Sequence, residues 1–425
     1  MAHTFDVPAF GPLSGVKVLD TGQIIAGPFA GCLMAESGAT VIHVDSVRAP
    51  DGTRGTYGWS QEHRNQLNMA LDIPSEEGRK VFLRLIKWAD IWIESSKGGT
   101  YEKWGLTDEL LWEYNPRLAI VHTSGYGQTG LPEYVKQGSY DAAGQAFSGY
   151  MSLNGMPDTP MKVNPYICDY VTALNTCWCA MACYISSLRS GKGESADVAQ
   201  YETMVKIMNT KPADWLNDRK VTPRTGNADN LAAAFSFYTC KDGVPIFIGM
   251  SGAGPAKAGY PIVGLPEPGT GDPDFPAGMG GDVIWSERGQ RIDKAVADYC
   301  AAHDSQEVEA VMKEKKIPCQ RVYTLEDCEN DPHFQAREVF TEWEDPIFGK
   351  LKGIGLINKF KVNPAQIWRG APLFGNDNDD ILGELGFSED EIKALYDGGT
   401  IKQWDRDESI RYLGLDQKFG LEPSQ

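Results

Sequence analysis

Asp169 stands directly before an apolar run, Tyr170 to Leu188, of helical length. A carboxylate there has two readings. As an N-cap it accepts the unpaired N–H groups of the helix start. As a nucleophile it is kept ionised by the helix dipole and left poorly hydrated, hence reactive, by apolar neighbours. Spacing alone does not choose between them. A second feature is the turn at Gly27, where Pro28 opens a helix and free backbone N–H groups suit a phosphate. Arg64, Lys97 and Lys103 are the cations placed to complement such a group, and each also reads as an ordinary solvated side chain. His63 reads as a hydrogen-bonded structural residue rather than a base. Gly22, Gly27 and Gly31 do not make G-x-G-x-x-G, so Asp45 is a weak ribose ligand and a nicotinamide-dependent oxidoreductase a remote alternative. No G-x-S-x-G elbow is present. The 9 cysteines form neither a C-x-x-C pair nor a zinc-finger pattern, so reduced packing thiols and no metal centre are expected.

These residues need a frame. Val16 to Asp20 reads as a strand, Pro28 to Glu36 as a helix and Thr40 to Asp45 as a second strand. The alternation continues with a helix over Pro74 to Trp88, a strand over Ile91 to Glu94, a helix over Asp108 to Glu113 and a strand over Leu118 to Ser124. Repeated β-α-β units predict an α/β fold with a doubly wound parallel sheet. Beyond Tyr201 the pattern breaks. Residues 211–230 are rich in Pro, Asn, Asp, Arg and Gly and read as a linker. Phe235 to Cys240 and Val244 to Gly249, joined through Asp242-Gly243, predict a hairpin that opens a smaller α+β domain. The division predicted is a large domain over 1–210, the linker, the small domain over 231–328, and a segment over 329–425 that returns to the large domain. Gly249 to Gly254 is a glycine-rich loop. Gly264 to Gly281 has the composition of a substrate loop. Asn376 to Asp380 is a local acidic run.

Length and charge bound the function. The chain has 425 residues and a net charge of −18, which disfavours nonspecific polyanion binding but leaves room for small anions at local basic sites. Met1 to Phe10 has neither an Arg-rich amphipathic segment nor a signal-like run, so a cytoplasmic, unprocessed chain is expected. The Tyr170 to Leu188 run, interrupted by Asn175, is read as a core helix rather than a membrane span.

Several motifs in order carry a resemblance: Pro12-Leu-Ser-Gly15-Val-Lys-Val-Leu-Asp20, Ala26-Gly-Pro28, Glu36-Ser-Gly-Ala39-Thr-Val-Ile42, Ser124-Gly-Tyr-Gly127-Gln-Thr-Gly130, Gly191-Lys-Gly193-Glu194 and Asp331-Pro-His333. Together the chain resembles the class III CoA-transferases. Two branches of that family, acting on carnitine and on bile acids, share Ser96-Lys97-Gly98 and Gln366-Ile-Trp-Arg-Gly370; segments such as His63-Arg-Asn-Gln66 and Phe235-Ser-Phe-Tyr-Thr-Cys240 make the bile-acid branch the closer. The resemblance implies CoA transfer between a bile acyl-CoA and a free bile acid, with a carnitine-type acid as the alternative. It implies no tightly bound cofactor, coenzyme A and acyl-CoA as substrates, and an interlocked homodimer. By position, Asp169 matches the catalytic aspartate and Lys97 a lysine that contacts CoA. Trp104 replaces a second cation, leaving Lys103 as its substitute. Gly249, Gly252 and Gly254 resemble a loop that covers the active site, interrupted here by Met250, Ser251 and Ala253.

Overall fold

The computed structural model describes residues 7–229 and 232–421. Met1 to Asp6, Asn230, Leu231 and the last four residues lie outside it. The targeting reading at the start and the junction of linker and small domain therefore fall partly outside the described residues.

Six parallel strands form the main sheet. They are β1 (Lys17–Asp20), β2 (Thr40–Ser46), β3 (Leu67–Leu71), β4 (Ile91–Glu94), β5 (Ala119–Ser124) and the Glu194–Ala199 strand, in the order β3-β2-β1-β4-β5 and then Glu194–Ala199. Leu19, Ile42, Met69, Trp92 and Ile120 are buried, as expected where helices cover both faces of a parallel sheet. The order reverses between β1 and β4, and the crevice beyond their C-terminal ends is where open α/β sheets hold ligands.

The edge strand β3 is covered rather than left open. Asp377 Oδ2 accepts from Asn68 N at 2.8 Å, Asn378 Oδ1 accepts from Ala70 N at 3.1 Å, and Leu71 bridges to Ile401. The acidic run at 376–380 is thus a polar clasp on a sheet edge.

The long helix spans Ile167–Ser190, ends on Gly191 at φ +71°, and packs on β4, β5, the Glu194–Ala199 strand and the Pro28–Glu36 helix. Ala173, Thr176, Ala180, Cys183 and Ser187, at spacings of three and four, face inward. Leu174 and Trp178 point outward, 52% and 71% exposed. Among the described residues it is the one helix long and apolar enough to cross a membrane, and its inward face belongs to the helix layer over the sheet.

The chain divides into two compact units: 1–148, 164–207 and 333–425 in one, 149–163 and 208–332 in the other. The stretch read as a linker contains a helix, Lys211–Asp218, with Pro212 in its first turn. Proline there blocks no hydrogen bond, so the composition that suggested a breaker suits a helix start. In the second unit, Phe235–Thr239 pairs antiparallel with Pro245–Gly249, and Cys319–Arg321 adds the third strand. Tyr260, Phe275, Ile292 and Val296 centre its own core.

Candidate active site

Asp169 lies in the first turn of the long helix, three residues after the N-cap Tyr166, which holds φ +31°. It does not cap the helix. That role falls to Asp141, whose Oδ1 accepts from Cys168 N at 2.8 Å while Oδ2 accepts from Gln145 Nε2 at 2.7 Å. Gly144 makes this approach possible, because a Cβ there would meet Cys168 Sγ at 2.5 Å. Asp169 Oδ1 instead accepts from Gln200 Nε2 at 2.6 Å. Asp169 is 7% exposed. Burial pushes its pKa up to about 7, the nearby charges of Asp141 and Glu62 add to the rise, and the Gln200 hydrogen bond opposes it. The helix start favours the ionised form, and burial with the neighbouring acid groups opposes it. Tyr170 donates to Glu62 Oε1 and its ring meets Phe29 edge-on at 5.1 Å.

Asp169 opens on a cavity of about 310 Å³ at the C-terminal ends of β4 and β5. Gln23, Ser96, Lys97, Gly125, Tyr140 and Gln200 are among its walls. Next to it, sharing Gln23, Ser95 and Ser96, lies a crevice of about 460 Å³ that also takes in Arg48, Tyr101 and Trp104. Lys97 is exposed on the cavity wall. Lys103 is exposed at the end of the short Thr100–Lys103 helix, and the neighbouring crevice is lined by Trp104 instead. Arg48, two residues past β2, was not singled out from the sequence. Its position just beyond a strand's C-terminal end was the available signal.

Other expectations change. Arg64 is buried: its Nε donates to Glu36 Oε1 at 2.6 Å, its Nη1 to the Ile354 carbonyl at 2.7 Å, and it lies over the Trp343 ring. Its guanidinium is thus engaged within the fold, and Arg64 is not among the residues that line the cavities described above. Gly27 is also buried, and Phe29 N already donates to Ile25 O at 2.9 Å, which removes a donor from the supposed phosphate site. The glycine is needed for close approach, since a Cβ would lie 3.1 Å from Gly22 Cα. His63 is buried and stacks on Trp59 at 3.5 Å, and neither ring nitrogen has a hydrogen-bond partner. Burial, followed by the charge of His43, holds it well below the usual histidine range.

Both carboxylate oxygens of Asp45 are engaged within the fold. Its carboxylate takes Asp51 N at 2.9 Å, Asn68 Nδ2 at 2.8 Å and the Arg54 guanidinium. Beside it, His43 Nδ1 meets Asp20 Oδ2 at 2.7 Å, and Asp20 Oδ1 accepts from Gly22 N at 2.8 Å. This buried ionic network ties the ends of β1 and β2 to the turn that enters the cavity.

In the second unit, Gly249 ends its strand, Gly252 sits at φ +101° before the Ala253–Gly259 helix, and Gly254 lies inside that helix. Gly252 N donates to Gly280 O at 2.5 Å, so the glycine loop is tied to the Gly264 to Gly281 stretch.

A desolvated carboxyl thus lies at the ligand crevice of a doubly wound sheet. The model of CoA-transferase family III matches residues 13–378, and the chain belongs to that family. It is an enzyme that uses CoA substrates. It is 55% identical over 412 residues, 97% of this chain and 94% of the other, to the bile acid CoA-transferase BaiK of Clostridium scindens. Among solved structures, a CAIB/BAIF family protein from Brucella suis is 26% identical and covers 88% of this chain and 100% of its own, with a TM-score of 0.74. The hypothetical protein Rv3272 of Mycobacterium tuberculosis shares the fold at 20% identity, covering 88% of this chain and 99% of its own, with a TM-score of 0.75.

Proposed function

We propose that this enzyme moves CoA from a bile acyl-CoA, such as deoxycholyl-CoA or lithocholyl-CoA, to a free bile acid such as cholate, without ATP. The observation that carries the choice of acid is the 55% identity, over nearly the whole chain, to a bile acid CoA-transferase. Burial and hydrogen bonding of Asp169 at the cavity support it as the nucleophile.

Asp169 Oδ2 attacks the donor thioester carbon, forming a C–O bond and expelling CoA thiolate to leave an acyl-aspartyl anhydride. The thiolate attacks the aspartyl carbon; a C–S bond forms, the anhydride C–O bond breaks, and the donor acid departs as its carboxylate. The acceptor carboxylate then displaces the thiolate from the aspartyl carbon, and the thiolate attacks the acceptor acyl carbon, restoring Asp169. Thioester is exchanged for thioester, so the enzyme's task is alignment and exclusion of water from the anhydride.

Lys97 meets the coenzyme at the cavity wall, with Lys103 and the exposed Arg48, whose Nη2 also donates to Asp72 Oδ2 at 2.7 Å, supplying charge toward its phosphates. The family resemblance alone assigns the loop of Gly249, Gly252 and Gly254 the role of active-site cover and gives the Gly264 to Gly281 stretch a share in the choice of acid. The working form is a homodimer, an association that the apolar outward face at Leu174 and Trp178 supports, and its interlocked form is what the family resemblance implies. A cytoplasmic location suits a substrate as polar as CoA.

The test is mass spectrometry of CoA exchange. Deoxycholyl-CoA with cholate gives cholyl-CoA in the absence of ATP, whereas transfer only between butyrobetainyl-CoA and carnitine overturns the choice of acid. Asp169→Ala folds and loses transfer by more than about 10⁴-fold; retained transfer overturns the nucleophile.

A further inference from the structure

Both backbone N–H groups flanking Asp169 are already used. Cys168 N donates to Asp141 Oδ1 at 2.8 Å, and Tyr170 N to the Tyr166 carbonyl at 3.1 Å. Among the described residues, the donor that reaches the carboxyl is Gln200 Nε2, 2.6 Å from Oδ1 and on the wall of the same cavity. We propose that Gln200 is a second catalytic residue, whose side-chain amide stabilises the oxyanion that forms at Asp169 Oδ1 each time the aspartyl carbon is attacked. The inference rests on Asp169 being the nucleophile.

In the anhydride and in the aspartyl-CoA thioester, Oδ1 is the oxygen of a neutral carbonyl. When CoA thiolate or the acceptor carboxylate adds to that carbon, the C=O electron pair moves onto Oδ1, and collapse of the tetrahedral species returns it as the leaving group departs. A donor already aimed at Oδ1 interacts more strongly with this oxyanion than with the carbonyl before it, which is the condition for lowering a barrier. Gln200 is also buried by the fold. It is 7% exposed and is the first residue of the Gln200–Lys206 helix, directly after the Glu194–Ala199 strand. Its reach is selective. The first and last steps place the oxyanion on the substrate's carbonyl, away from Oδ1, so Gln200 acts on the two middle steps.

This asymmetry gives a readout that a merely structural role would not move. If the middle steps slow while the first does not, the anhydride persists, water adds to it, and the donor thioester ends as free acid and free CoA instead of new acyl-CoA. Gln200→Met keeps the volume and removes the donor. With whichever acyl-CoA and acid pair the wild type turns over, the variant is expected to lose about 10²- to 10³-fold in kcat for transfer. KM for acyl-CoA changes little, and the ratio of hydrolysis to transfer rises. Circular dichroism and a melting curve establish that the variant is folded; if it is not, Gln200→Ala, which also removes the donor without adding charge, is measured in the same way. Transfer retained within a few-fold overturns the proposal, and so does a proportional fall of transfer and hydrolysis. Because the assay uses any active pair, failure of the bile-acid reading leaves it intact, while Asp169→Ala separately tests the nucleophile.

Discussion

Asp169 meets two opposed demands, since a nucleophilic carboxylate must be ionised and yet poorly solvated. Burial, assisted by Asp141 and Glu62, brings its pKa up to about 7. The attacking form is the deprotonated one, so kcat/KM for acyl-CoA should rise about tenfold per pH unit below about pH 7 and level off above it. Glu62→Gln removes one of the nearby acid groups and should shift that limb to lower pH; an unchanged profile would assign the limb to another group. The aspartate itself was legible in the sequence, because a carboxyl at the mouth of an apolar helix is conspicuous. Its partners were not. Gln200 lies 31 residues away and Asp141 27 residues from the Cys168 N–H that it caps, and only the path of the chain at the sheet ends brings them together. Arg64 misled for the converse reason: a cation near a strand end looks available until its Glu36 partner is seen.

At the scale of elements, alternation of apolar runs with capped helices was readable from β1 through β5, because both periodicities stand out and the caps are ordinary. The exception is β3, Leu-Asn-Met-Ala-Leu, which has no β-branched or aromatic residue and owes its strand form to pairing with β2. Its outer edge depends on Asp377, which also pairs with Arg369 at 3.0 Å. Asp377→Ala leaves Asn68 N without its acceptor and should destabilise the first unit by about 1 to 3 kcal/mol. A urea midpoint that does not move would show that water substitutes for the clasp. The Lys211–Asp218 helix was hidden by composition, since Pro, Asn and Asp mark both breakers and helix starts.

For the whole molecule, assembly is the property least visible in one chain. The outward face of the long helix exposes Leu174, Trp178, Ile185 and Leu188 beside Ile207. Trp178→Glu should convert the proposed dimer to monomer or aggregate in sedimentation velocity, and a dimer of unchanged stability would move the interface elsewhere. The split of the first unit into three sequence segments was likewise beyond periodicity, because nothing local announces that residues 333–425 pack where they do. That split has a consequence during synthesis. The clasp on β3 bonds residues 309 apart, so at 5 to 20 residues per second the strand leaves the ribosome roughly 15 to 60 s before its cover is made. Throughout that interval the nascent chain presents an open parallel edge, and a ribosome-bound chaperone would have the most to protect there.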